Sequence, residues 1–163
     1  MRIAGIDPGL HGALAVWDSE FALMDIRDLP VVRSQIKSSK TKRKVNRDID
    51  AVALADLLRA MDVNLAYVEL VHSMPKQGVV STFKFGATFG VILGVLAGLG
   101  VPTYLVKPQE WKARFHLIGK DKNASRLVAS RILPANTRSF RLVQDGDKAE
   151  GALIALFAAE RHT

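Results

Sequence analysis

Cysteine is absent from the 163 residues, which excludes disulfides and cysteine-ligated zinc. The four histidines, His11, His72, His116 and His162, show no paired spacing of the His-x-x-x-His kind. Oxygen ligands are therefore expected to dominate any metal site, a donor set that favours Mg²⁺ or Mn²⁺ over zinc. Charge is missing from Phe85 to Pro102, a run of about 18 residues that would reach roughly 27 Å as a helix. Its glycine density and the strand-like Val101 to Val106 that follows argue against a membrane span. A charged leader with an apolar core and a small-residue cleavage site is also lacking, so the expectation is a cytoplasmic protein without membrane contact.

Acids are missing from Arg33 to Arg47, and there the basic residues gather. This stretch carries Arg33, Lys37, Lys40, Lys42, Arg43, Lys44 and Arg47, which together equal the whole net charge of +7. Such a concentration points to a polyanion, and a serine-containing segment without hydrophobic period is expected to be a mobile loop over 33–47 that lies along a phosphate backbone. A second basic region holds Lys107, Lys112, Arg114, Lys120, Lys122, Arg126 and Arg131 against Glu110 and Asp121. A solvated surface explains this second set as well as nucleic acid does.

Three elements far apart in sequence each present acids at an element end. The apolar run from Ile3 to Ile6 closes on Asp7 and turns at Pro8-Gly9; Leu65 to Val68 closes on Glu69; and Asp145-Gly146-Asp147-Lys148-Ala149-Glu150 opens the apolar run Ala152 to Ala159. Asp147 and Glu150 are three apart and share a helix face. Each acid alone has an ordinary explanation in turn chemistry, capping or the helix macrodipole. Together, three distant segments that each end in carboxylate would repel one another if they converged, and a divalent cation is the natural counter-charge.

Periodicity gives strands over 2–7, 12–18 and 21–28, a helix over 48–61, a strand ending at Glu69, a long helix over 79–99, a strand over 101–106, and helices over 108–115, 123–133 and 147–161. Two hairpins followed by alternating strands and helices make a single α/β unit over 1–163, a mixed sheet with helices on its faces. The long helix carries Gly86, Gly90, Gly94 and Gly98 on one stripe. Each costs about 1 kcal/mol against alanine, so something is expected to approach that stripe closely, either the chain's own sheet or a second subunit.

The order of these motifs resembles the RNase H-like nucleases and, within them, the RuvC Holliday junction resolvases, in a branch common in phages and prophages. The resemblance is carried by Gly5-Ile6-Asp7-Pro8-Gly9, Val68-Glu69, the run Val71 to Gly78, Phe83-Lys84-Phe85-Gly86, Lys107-Pro108-Gln109-Glu110-Trp111-Lys112 and Lys148-Ala149-Glu150-Gly151-Ala152-Leu153. It implies an α/β RNase H-like mixed five-stranded sheet flanked by helices. It also implies a metal-dependent endonuclease whose catalytic and metal-binding acids are Asp7, Glu69, Asp147 and Glu150, with Asp145 as the alternative to Asp147. Two Mg²⁺ or Mn²⁺ ions per site would drive phosphodiester hydrolysis to 5′-phosphate ends.

The implied substrate is a four-way DNA junction, nicked on opposed strands by a homodimer, with branch-migration or phage recombination proteins as further partners. DNA contact is expected at Lys37, Lys40, Lys42, Arg43, Lys44, Lys107, Lys112 and Lys122, and at Phe83 or Phe85 as a wedge between unstacked bases. Trp111 reads as a packing anchor. A junction-binding architectural protein and a broader branched-DNA or RNA nuclease of the same fold are the rival readings. A sugar-kinase-like phosphotransferase also begins on a strand, aspartate and glycine, but needs two such domains.

Overall fold

The computed structural model describes residues 1–37, 43–71 and 78–162. Strand β1 (Arg2–Asp7) is followed by β2 (Ala13–Asp18) and β3 (Leu23–Asp28) in two antiparallel hairpins. Strand β6 (Leu65–Glu69) lies parallel to β1, and β7 (Thr103–Val106) lies parallel to β6. The result is the mixed five-stranded sheet that the resemblance implied, with the order β3-β2-β1-β6-β7. Ile6 pairs with Val68, so the next residue on each strand, Asp7 and Glu69, leaves the sheet side by side. Carboxyl ends of adjacent parallel strands are where an open α/β sheet forms its crevice.

Alternation of side chains splits the core in two. Ile3, Ala15 and Tyr67 face α3 (Pro108–Arg114), α4 (Lys122–Ile132) and α5 (Gly146–Ala159), while Ala4, Ile6, Leu14, Val16 and Val68 face α1 (Ala51–Ala60) and α2 (Val79–Gly98). Helix starts are set by side-chain caps: Asp50 accepts from the Ala53 N–H and Asp121 from the Ala124 N–H, each at 3.0 Å. Helix α5 crosses β1 at Gly5, where a Cβ would stand 2.2 Å from the Ala155 nitrogen and 2.3 Å from the Gly151 oxygen. Only a residue without a side chain allows that approach, and it brings the start of α5 over the end of β1.

Two expectations need correction. The basic segment expected to be a mobile loop over 33–47 is largely an antiparallel pair, β4 (Val31–Lys37) with β5 (Arg43–Ile49), in register from Val31 opposite Ile49 to Lys37 opposite Arg43. Charge density hid the strand signal of Val31, Val32, Ile36, Val45 and Ile49. Burial of Ile49 against α1 and α2 anchors the base of the pair. Between Leu133 and α5, the chain forms two 3₁₀ turns, Pro134–Phe140 and Val143–Asp145, where no element was expected. Other helix ends shift by one to three residues, a normal scatter for termini.

Candidate functional site

The sheet end, the start of α5 and the first residues of α2, α3 and α4 enclose a cleft of about 570 Å³. Asp7, Glu69, Asp147 and Glu150 all line it, with Lys84, Lys112, Lys122, His11 and Phe85. Among the described residues, Asp7, Asp147 and Glu150 bring carboxylate oxygens within 4.8 Å of one another, a geometry able to hold a metal ion. Register places Asp7 from β1, and the spacing of three on α5 turns Asp147 and Glu150 to the same side. Asp7 and Glu150 are buried.

Glu69 stands beside the cluster and is held from behind. The Trp111 indole N–H donates to its Oε1 at 2.9 Å. Trp111 is fully buried, so it is the packing anchor expected and also orients an acid. The Ser125 hydroxyl donates to Glu150 Oε1 at 3.2 Å, and the Lys112 ammonium lies 3.2 Å from the same oxygen. Asp145, the alternative to Asp147, turns away from the cleft. It accepts from the Leu142 N–H at 2.7 Å and faces the Lys148 ammonium at 3.3 Å.

Electrostatics follow from crowding like charges in a dry place. Burial drives the Asp7 carboxyl up to about 7, with Glu69, Glu150 and Asp147 pushing the same way and Lys122 opposing. Burial also raises Glu69, against the bond from Trp111. Burial alone would lower the Lys122 ammonium, but Asp7, Asp147 and Glu150 outweigh it and hold it above the ordinary lysine range. Such a set of hard oxygen donors, short of positive charge, fits Mg²⁺ or Mn²⁺.

The remaining expected contacts are spread more widely. Lys107 is exposed where α3 begins. Phe83 is 76% exposed on the first turns of α2, outside the cleft wall, whereas Phe85 belongs to it. Lys37 ends β4, and Arg43 and Lys44 begin β5; Lys40, Lys42 and the motif residues 72–77 lie outside the described residues. Arg47, near the base of the pair, reaches the turn after Asp7, with its guanidinium 3.3 Å from His11 Nε2 and 3.4 Å from the Leu10 oxygen. His11 lies outside the expected site set; its place two residues beyond Asp7-Pro8-Gly9 is the signal that the sequence offers.

No protein-family model matches the chain, and no curated protein matches it by sequence. Solved structures do match by fold. Thermus thermophilus RuvC aligns with TM-score 0.59 and 19% identity over 100% of this chain and 98% of its own. The same protein in complex with a Holliday junction substrate aligns at 0.60 and 19%, over 99% and 96%. The fowlpox virus Holliday junction resolvase aligns at 0.53 and 13%, over the whole of both chains. The fold is therefore the RNase H-like fold in the form seen in these proteins.

Proposed function

We propose that this chain is a Holliday junction resolvase, one nuclease domain over residues 1–163 that nicks opposed strands of a four-way DNA junction. The observation that carries this reading is the convergence of Asp7, Asp147 and Glu150 in the cleft at the end of β1, on a chain whose fold is that of RuvC over nearly its whole length. Among those structures, one holds a Holliday junction substrate.

Asp7, Glu69, Asp147 and Glu150 are the residues that would hold two divalent ions, with Asp147 rather than Asp145 as the α5 ligand. Bound there, Mg²⁺ or Mn²⁺ supplies an activated water and charge stabilisation at the departing 3′ oxygen, which leaves a 5′ phosphate on the product. Trp111 and Ser125 fix the directions of Glu69 and Glu150, as supporting residues do for metal-binding carboxylates. Basic residues on β4 and β5, with Lys107 and Lys112, receive the phosphate backbone, and Phe83 or Phe85 meets unstacked bases.

Two cuts in opposed strands call for two sites related by a twofold axis, hence a homodimer. The glycine stripe of α2 is the surface we assign to it. Among the described residues, a Cβ at Gly86, Gly90, Gly94 or Gly98 would meet nothing within 4 Å, so packing on the chain's own sheet does not explain these glycines. The protein acts in the cytoplasm, and its setting is recombination or repair, with branch-migration or phage recombination proteins as partners.

Asp7→Asn tests the reading. Nicking of a labelled four-way junction in Mg²⁺ falls by about three orders of magnitude or more, while junction binding in a gel-shift assay is retained, because the loss removes metal chemistry and not the basic surface. A fully active Asp7→Asn protein would refute the proposal, and a wild-type protein that binds junctions yet cuts none would favour an architectural role.

A further inference from the structure

We infer that Lys122 is a resident counter-ion of the acid cluster, seated where a divalent metal would bind, so that metal enters this site by exchange with the lysine. The inference rests on the proposed function for what the metal is for, and on the structure of the cleft for the exchange itself.

Lys122 Nζ lies 3.0 Å from Asp7 Oδ2 and 3.2 Å from Glu150 Oε2, and it contacts Asp147 Oδ1 as well. These are the three carboxylates whose oxygens lie within 4.8 Å of one another. A divalent ion bound to them at about 2.1 Å would stand against the ammonium itself, and two cations cannot share that point. Lys112, by contrast, pairs only with Glu150 of the three and sits over the Trp111 ring; it borders the cluster without filling it.

A second, independent feature is the seat for the lysine stem. A Cβ on Gly146 would stand 2.8 Å from Lys122 Cβ and 3.4 Å from its Cδ, so the first residue of α5 leaves room for this side chain to lie across it. The Asp145-Gly146-Asp147 spacing thus gains a reason: the glycine admits the lysine stem, and the aspartate after it meets the ammonium. The lysine side chain is 51% exposed, and Lys122 is the first residue of α4. It can therefore turn out to solvent through its own rotamers while the core stays in place.

Exchange has a thermodynamic consequence. Docked Lys122 offsets repulsion among the acids in the metal-free protein and, by the same contacts, weakens metal binding; linkage requires that metal expel Lys122 to the same degree.

Two measurements without DNA test this. Calorimetric titration with Mn²⁺ at about pH 8.5, above the about 7 of Asp7, compares wild type with Lys122→Met. The variant is expected to bind about tenfold more tightly, and to melt lower than wild type in EDTA but gain more from saturating Mn²⁺. In the wild-type protein, acylation by an N-hydroxysuccinimide ester, read by peptide mass spectrometry, is expected to rise several-fold at Lys122 when Mg²⁺ is added, with exposed Lys120 unchanged. Equal or weaker Mn²⁺ binding by a folded variant, or unchanged labelling of Lys122 in Mg²⁺ that binds, overturns the exchange and leaves the nuclease reading standing. Absence of metal binding to either protein overturns both.

Discussion

Helices α5 and α2 are both rich in small and aliphatic residues, yet the fold uses them in opposite ways. Eleven of the fourteen residues of α5 are buried, Glu150 among them, whereas α2 buries Thr88, Ile92 and Leu96 out of twenty. The small residues of α5 let it lie on the sheet; Gly5 on the strand and Gly151 on the helix close the gap. Among the described residues, nothing covers the glycines of α2. A largely apolar helix, with Lys84 as its one charge and an exposed glycine stripe, has the character of a contact surface still to be covered, while the small and aliphatic residues of α5 belong to a core that delivers two acids to a third.

The contrast can be broken most severely at the sheet. Gly5→Val drives a side chain into the α5 backbone, and the expected loss exceeds about 4 kcal/mol, which abolishes cooperative melting and with it the acid cluster. A Gly5→Val protein that melts like wild type would show that α5 does not press on β1.

A smaller effect follows from the charge crowding at the α5 start. The folded-state pKa of Asp7, about 7, lies above its ordinary 3.8. The folded, metal-free protein therefore binds the proton more tightly than the unfolded chain. The stability this contributes is present below pH 3.8 and is lost as pH rises to about 7. Metal must displace that proton, so Mn²⁺ affinity should rise by up to about tenfold per pH unit below 7, with measurable proton release, and level off above it. Asp7→Asn should remove this pH dependence; its persistence would assign it elsewhere.

The mildest perturbation sharpens the α2 side. Gly90→Leu places a good helix former at an exposed position and should stabilise the isolated subunit by about 0.5–1 kcal/mol, while weakening self-association about tenfold or more by sedimentation equilibrium. Unchanged association would move the dimer contact away from the stripe.

Much of this was legible from residues alone, because the features that place Asp7 and Glu69 are local. An apolar run that stops at a carboxylate marks a strand end, and two such strands side by side require only parallel pairing. The spacing of Asp147 and Glu150 is equally local. What escaped depends on distance or on competing signals. Trp111 and Glu69 are 42 residues apart, and no pattern in either segment announces the bond between them. Asp145 is fixed to the Leu142 N–H by a 3₁₀ turn, a placement that no local pattern around Asp145 and Asp147 announces. The β4–β5 pair was hidden because its charges outweighed the β-branched residues between them. The seat of Lys122 needed Gly146, an absence of side chain whose meaning appears only once α4 and α5 are side by side.

The most direct measurement is cleavage by the wild-type protein of a labelled synthetic four-way junction and of a linear duplex of matched sequence, in Mg²⁺, Mn²⁺ and EDTA. Paired, symmetric nicks with 5′-phosphate ends in the junction alone, dependent on metal, are the expected result. Equal cutting of the linear duplex, or nicking that survives EDTA, would contradict a metal-dependent junction resolvase built on Asp7, Asp147 and Glu150.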